Sequence, residues 1–141
     1  MNVLDASQVR SGSHGTLWIN NELASEAYGL RAVINKTKES VPRCGAFIEG
    51  NKLMSAAITG TVRLYNATSR LLAAEAEALQ TGRDVRYTLV SNLDDPDNPQ
   101  AQRIQLTGVS FDNVTLADWE AATIGRIEAP FTADGYTLLE Y

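Results

Sequence analysis

The alternation of apolar and polar positions changes period several times along the chain, and each change marks an element. Gly15, Thr16, Leu17, Trp18 and Ile19 form a short strand pattern with Leu17 and Ile19 on one face. Asn20 and Asn21 follow as a turn pair that tolerates positive φ, so a hairpin into Glu22, Leu23 and Ala24 is predicted. Over 27–37, Tyr28, Leu30, Ala32 and Ile34 share one face, and Arg31, Asn35 and Thr37 share the other. A period of two with one polar row predicts a strand with one wet face. Pro42 and Gly45 break that pattern, and 42–53 carries no period, which reads as a long loop. The cleanest strand is 55–65, where Ala56, Ile58, Val62 and Leu64 alternate with Thr59, Thr61 and Arg63. Gly60 falls in the apolar row and marks a bulge or a close approach.

The period turns helical once. Leu72, Ala76 and Leu79 recur at i, i+4 and i+7 with Leu71 beside them, Asn66 or Thr68 offers a cap, and Gly82 a stop. A helix over about 67–80 is predicted, with Glu75 and Glu77 facing away from its apolar stripe. Val85, Tyr87, Leu89 and Leu93 make the next strand, and the Asp- and Pro-rich stretch 94–99 a turn. Ile104 and Leu106 begin the return strand. The apolar phase then shifts to Val109 and Phe111, which predicts a bulge at Gly108. A long strand is read over 119–131, with Trp119, Ala121, Ile127, Ala129 and Phe131 on one face and Glu120, Arg126 and Glu128 on the other. Asp134 and Gly135 turn the chain into a short strand over 136–141. The fold class is mainly β: two packed antiparallel sheets, a sandwich or open barrel, with one flanking helix. Residues 1–14, rich in Ser and Gly, read as a flexible N-terminal arm, and 15–141 as one β domain.

Composition narrows the chemistry. A length of 141 residues predicts one domain, and 44% hydrophobic with 21% charged residues is ordinary for a globular chain. The single cysteine, Cys44, excludes an internal disulfide framework, and the single histidine, His14, excludes a His–His metal site. No phosphate-binding loop, dinucleotide fingerprint or nucleophile elbow occurs. Asp94, Asp95 and Asp97 offer oxygen ligands, but their spacing departs from an EF-hand and two prolines suit a surface turn. No enzyme activity, cofactor or metal is therefore expected. The excess of 17 acidic over 12 basic residues gives a formal charge of −5 and argues against stable nucleic-acid binding. No apolar run reaches the roughly 20 residues needed to cross a bilayer, and no leader pattern opens the sequence. With Cys44 unpaired, synthesis and folding in a reducing cytoplasm, with no stable membrane binding, are expected.

Two features exceed what a lone sandwich needs. The strands at 27–37, 55–65 and 119–131 are long against a usual five to six residues or so, and long edges need partners. The arm and the 42–53 loop add chain that no single core requires. The ordered features also resemble a known family. Gly15-Thr16-Leu17-Trp18-Ile19-Asn20-Asn21-Glu22, then Thr59-Gly60-Thr61-Val62-Arg63-Leu64-Tyr65 leading into Thr68-Ser69, then Gly108-Val109-Ser110-Phe111-Asp112, and Ile127-Glu128-Ala129-Pro130-Phe131-Thr132 are similar to the tail tube proteins of contractile-tailed bacteriophages and phage-derived tail-like particles.

The resemblance implies hexameric rings that stack into a hollow tube inside a contractile sheath, a passive conduit for DNA, or for ions in a headless particle. Its implied partners are further copies of the chain, the sheath, a baseplate initiator and a tail terminator. The polar strand faces would line the lumen: Arg31, Asn35, Thr37, Thr59, Thr61, Arg63, Glu120, Arg126 and Glu128, read as a net acidic surface that repels phosphates. The loop with Pro42, Arg43, Phe47, Glu49, Lys52 and Leu53 would stack rings. Glu75, Glu77, Asp94, Asp95 and Asp97 would face the sheath. Two alternatives are a bacterial type VI-like secretion tube protein and a monomeric β-barrel binding module with a hollow apolar interior.

Overall fold

In the computed structural model, which describes residues 3–141, eight strands and one α-helix follow two short 3-10 turns, Ala6–Gln8 and Gly12–His14. They are β1 (Gly15–Ile19), β2 (Glu22–Leu23), β3 (Ala27–Val41), β4 (Gly50–Tyr65), α1 (Arg70–Gln80), β5 (Tyr87–Leu93), β6 (Gln102–Phe111), β7 (Arg126–Ala133) and β8 (Gly135–Glu140). The strands form one antiparallel sheet in the order β2-β1-β5-β6-β7-β4-β3, with β8 also on β6. This sheet folds over into two layers around a single core, which draws Leu17, Leu89 and Leu106 from one layer and Ile58, Val62, Ala129 and Phe131 from the other. β1 and β3 approach at the far side without pairing, so the barrel stays open. Phe131, Leu89, Val62 and Val109 are the largest fully buried side chains of that core.

The expected hairpin forms as read. Asn20 and Asn21 take φ of 50° and 66°, the left-handed pair that a two-residue hairpin turn requires. Gly60 is a close approach: a Cβ there would lie 2.2 Å from the Arg31 carbonyl oxygen and 2.6 Å from Phe131 Cζ. Gly108 is the bulge. Tyr87 pairs with Val109 but Leu89 with Leu106, and Gly108 has φ 62°. The extra residue moves the apolar row by one position, so Leu106 and Val109 are both buried.

That bulge fits a corner on the neighbouring strand. β7 and β8 both run antiparallel to β6, so they are one strand bent at Asp134, which leaves β4 for β6. Asp134 donates its backbone N–H to the Thr107 carbonyl at 3.0 Å. The Arg86 guanidinium donates to the Gly108 carbonyl at 3.2 Å and to Asp134 Oδ2 at 3.3 Å, joining bulge to corner.

Three expectations are corrected. The helix begins at Arg70, and its buried face runs through Leu71, Glu75 and Ala78, while Leu79 is exposed. Only the second half of the 119–131 run is strand: 112–125 is irregular, Ala122 has φ 60°, and Trp119 is exposed. The 42–53 loop is shorter than read, because β3 continues to Val41 and β4 begins at Gly50, pairing Glu39 with Lys52 and Lys38 with Leu53. Lys52 and Leu53 are strand residues, and the true loop is 42–49.

Candidate functional site

The register of β3, β4 and β7 determines which polar side chains meet. Arg31 lies opposite Thr61, which lies opposite Pro130; Arg63 lies opposite Glu128; Tyr65 lies opposite Arg126; Thr59 lies opposite Thr132. Asn35 and Thr37 continue the row on β3, facing Ala57 and Ser55. Directly opposed residues share a face, and alternate residues along a strand share it too. Eight of the nine predicted polar residues therefore stand on one surface, and the other side of the same strands forms the core. Glu120 is the exception, since it lies in the irregular 112–125 segment and is not on this sheet.

Local contacts set the shape of this face. Asn35 Nδ2 donates to Thr59 Oγ1 at 2.9 Å, a diagonal cross-strand bond. Gly29, opposite Arg63, leaves room for that side chain to lie across β3, with a Cβ position 3.3 Å from Arg63 Nε. A register shift between Ala27 and Gly29 leaves Tyr28 unpaired and turns it out of the apolar row. Its ring meets that of Tyr65 at 4.6 Å, and the Arg126 guanidinium sits 5.9 Å from its centroid. Such a cation–π contact at an exposed site contributes about 0.5–1 kcal/mol and holds Arg126 along the face. Strand alternation alone missed this aromatic pair, because the shift falls at the first residues of β3, with too few positions before it for a change of phase to show.

The charges on this face do not match a net acidic reading: the predicted set already holds three arginines against two glutamates, and with Glu120 off the sheet Arg31, Arg63 and Arg126 stand with a single carboxylate, Glu128. The surface is net positive on a chain whose overall charge is −5.

Beyond the core, β3 and β4 continue as a two-stranded arm exposed on both faces, from about Ile34 to Ala57. Its 42–49 tip is held by Arg43, whose Nη2 donates to the Ile48 carbonyl at 2.9 Å, and by the Ser40 hydroxyl, which donates to Glu49. Gly45 supplies the left-handed φ of 79° at the turn. Phe47 projects from the tip fully exposed, and Ile48, Leu53 and Met54 are exposed nearby.

The acidic set divides. Glu77, Asp94 and Asp97 are exposed, whereas Glu75 and Asp95 are buried at 4% each, so neither of these two can meet another protein's surface directly. Asp95 accepts the backbone N–H groups of Ser11 at 2.8 Å and Asp97 at 3.0 Å, which lower its pKa below the usual carboxylate value. With Asn98 donating to the Gln8 carbonyl, it ties the chain before β1 to the 94–100 turn. Met1 and Asn2 of the predicted arm lie outside the described residues. Glu75 lies under α1 beside Tyr87. Desolvation raises its pKa, the Tyr87 hydroxyl pulls the other way, and Asp84 adds to the rise. Glu75 Oε1 and Tyr87 Oη nonetheless lack a partner of full hydrogen-bond geometry. The helix and the 94–97 turn flank opposite ends of β5, so the structure does not gather them into one acidic patch. Among the described residues, no cluster of His, Cys, Asp or Glu is arranged to hold a metal.

Known proteins share this architecture. A family model described as phage tail tube protein matches residues 2–140. The phage-like element PBSX protein XkdM of Bacillus subtilis is 28% identical over 139 residues, which cover 97% of this chain and 95% of the relative. A second Bacillus subtilis protein, YqbM, is 29% identical over 140 residues, with the same coverage of both chains. The fold also matches a chain in the sheath–tube complex of an extracellular contractile injection system, PVC, in its extended state. That match has a TM-score of 0.73 at 11% identity and covers 99% of this chain and 100% of that one.

Proposed function

The chain belongs to the phage tail tube protein family, and from that premise we propose that it forms hexameric rings stacked into a hollow tube inside a contractile sheath. Its place is a phage tail or tail-like particle, its role structural. The observation that carries the assembly is the division of β3, β4 and β7 into a core face and a polar face, with β3 unpaired along its outer edge. An open edge of this length invites the next subunit, and closure into a ring removes it. Ring closure is a heterologous contact with rotational symmetry; stacking is the direction left open, and it yields a filament.

In that tube the polar face lines the channel. DNA passing through meets guanidinium groups separated by Thr59, Thr61 and Asn35, a surface that holds phosphates loosely and without sequence preference. The contact weakens with salt, as exposed charges are screened. Glu77, Asp94 and Asp97 stand as outward acidic groups for weak sheath contacts that contraction releases. The β3–β4 arm reaches toward the adjacent ring, and a baseplate initiator and tail terminator bound the polymer.

The test is electron microscopy of the concentrated protein, with and without a baseplate initiator complex. Rings or tubes with a central channel are expected. A monodisperse monomer that persists with initiator present refutes the assembly.

A further inference from the structure

Between β6 and β7 the chain runs as an irregular strap, 112–125, on which Leu116, Trp119 and Ile124 are exposed, Trp119 at 85%. Both ends of the strap are fastened. The Asp112 N–H donates to the Pro130 carbonyl at 2.8 Å, and the Asn66 N–H donates to the Gly125 carbonyl at 2.8 Å. Among the described residues, no backbone hydrogen bond ties 113–119 to any element. The bend at Ala122 has φ 60°, a left-handed conformation that strains a residue carrying a Cβ. The strap is thus anchored at its ends, free in the middle and strained at one bend.

Beside it, against α1, lies a cavity of about 200 Å³. Leu64, Phe111 and Ala129 of the core and Leu72 of α1 line it, together with Leu116 and Trp119 of the strap. An apolar cavity of about 150 Å³ takes up benzene, so this one has room for the two rings of an indole. An indole carries one polar group, an N–H that needs an acceptor when buried. The cavity supplies that acceptor. Glu75 is on its lining and buried, and Glu75 Oε1 has no hydrogen-bond partner. The other carboxylates of the lining differ: Glu26 is paired with Arg70 at 3.2 Å, and Asp118 and Glu128 are exposed.

We propose that the strap is a lid, which closes by seating the Trp119 ring in this cavity with its Nε1–H donating to Glu75 Oε1. Trp119 already stands on the cavity lining, so closure takes a turn of that side chain and a change of backbone at Ala122, with both anchors in place. Closure relieves three unfavourable features together: an exposed indole, an unfilled apolar space and an unpaired buried carboxylate oxygen. It fastens α1 to the segment that leads into β7, and it withdraws Trp119 from the surface the subunit offers a partner. A partner that binds the displayed Trp119 shifts the strap open by its differential affinity for the two positions.

The experiment follows Trp119 in the dilute, unassembled chain. Trp18→Phe leaves Trp119 as the one tryptophan. Its emission should be blue-shifted, and its quenching by acrylamide several-fold weaker, against the same chain unfolded in urea. Emission and quenching equal to those of the unfolded chain overturn the lid. An indole that becomes shielded only once tubes form also overturns it, because Trp119 then belongs to an interface between copies. The parent chain provides a second reading without any substitution. Its NMR spectrum should show a slowly exchanging Trp119 indole proton and Overhauser contacts from that ring to the Leu72 methyls; a ring without those contacts overturns the closure. Glu75→Gln keeps an acceptor and should keep the indole proton protected, whereas Glu75→Leu should lose the protection. Equal protection in the two variants overturns the hydrogen bond to Glu75. Trp119→Ala empties the cavity, so benzene should raise its Tm and leave that of the parent unchanged. Equal shifts in parent and variant show a cavity that Trp119 does not fill, and overturn the lid.

Discussion

Gly60 offers a direct test of how the two layers meet. It lies opposite Ala32 in the β3–β4 ladder and points into the core beneath Phe131. In Gly60→Ala the new methyl would sit 2.2 Å from the Arg31 carbonyl oxygen and 2.6 Å from Phe131 Cζ. The first obstacle is backbone in a continuous ladder, and the second is a fully buried ring, so neither can swing aside. Overpacking of this kind costs about 1–3 kcal/mol, and two rigid obstacles place it at the upper end. Restricting the unfolded chain offsets about 0.4–1 kcal/mol. The net is about 2 kcal/mol, equivalent to a fall in Tm of about 5–10 °C for a domain of this size. Urea titration at low protein concentration, where assembly adds no stability, should show a lower midpoint with an unchanged slope. Phe131→Leu removes the ring atom but not the carbonyl. The double variant should therefore be less destabilised than the sum of the singles, by about 0.5–1.5 kcal/mol. A Gly60→Ala protein within about 0.5 kcal/mol of the parent would refute the close approach.

Two pH effects follow from the buried carboxylates, with opposite signs. Burial raises the pKa of Glu75 above its ordinary 4.5, so the folded state binds that proton more tightly and loses stability as pH rises through the raised value. Glu75→Gln should be more stable than the parent at pH 7, with the advantage gone below pH 4.5; thermal melts across that range check it, and a less stable variant at pH 7 defeats the reading. Asp95 is held below its ordinary 3.8 by the Ser11 and Asp97 N–H groups, so its contribution is present above that value and lost as pH falls through the folded one. Asp95→Asn should melt earlier at pH 7 and show a flatter acid limb, with hydrogen exchange at the Ser11 amide accelerated; unaltered exchange would show that the contact does not hold the arm.

What was legible in the sequence follows the physics of each signal. A strand with one wet and one buried face writes a period of two, so the polar row of β3 and β4 and the phase change at Gly108 could be read directly. The outer part of the arm is wet on both faces and leaves no period, so 42–53 reads as loop although 50–53 is paired strand. The 119–131 run failed in the opposite way: Trp119 and Ala121 continue the alternation on paper, while the backbone turns at Ala122, φ 60°, before β7 begins. On α1 the apolar stripe was placed one step off, because Leu72, Ala76 and Leu79 match a helical face as well as Leu71, Glu75 and Ala78 do. A buried glutamate cannot be inferred from a pattern that scores it as solvent-facing. Asp95 was hidden likewise, since its partners are backbone amides, one of them distant in sequence. The basic sign of the polar face was open to a count, three arginines against two glutamates, and the true start of β7 only widens it by removing Glu120.

The late position of β7 also governs when a subunit becomes competent. β4 is paired along Ile58–Tyr65 by residues 126–133, and Phe131, at the centre of the core, belongs to that segment. During synthesis the β3–β4 arm, with Phe47 at its tip, leaves the ribosome long before the strand that seals its base. Pairings this distant in sequence form slowly, and a nascent chain waiting for them exposes both an unpaired strand and an apolar tip. Completion of the polypeptide, rather than its concentration, is then the first gate on polymerisation. A tube would grow only from finished subunits, and the interval before β7 emerges is when a chaperone would have something to hold.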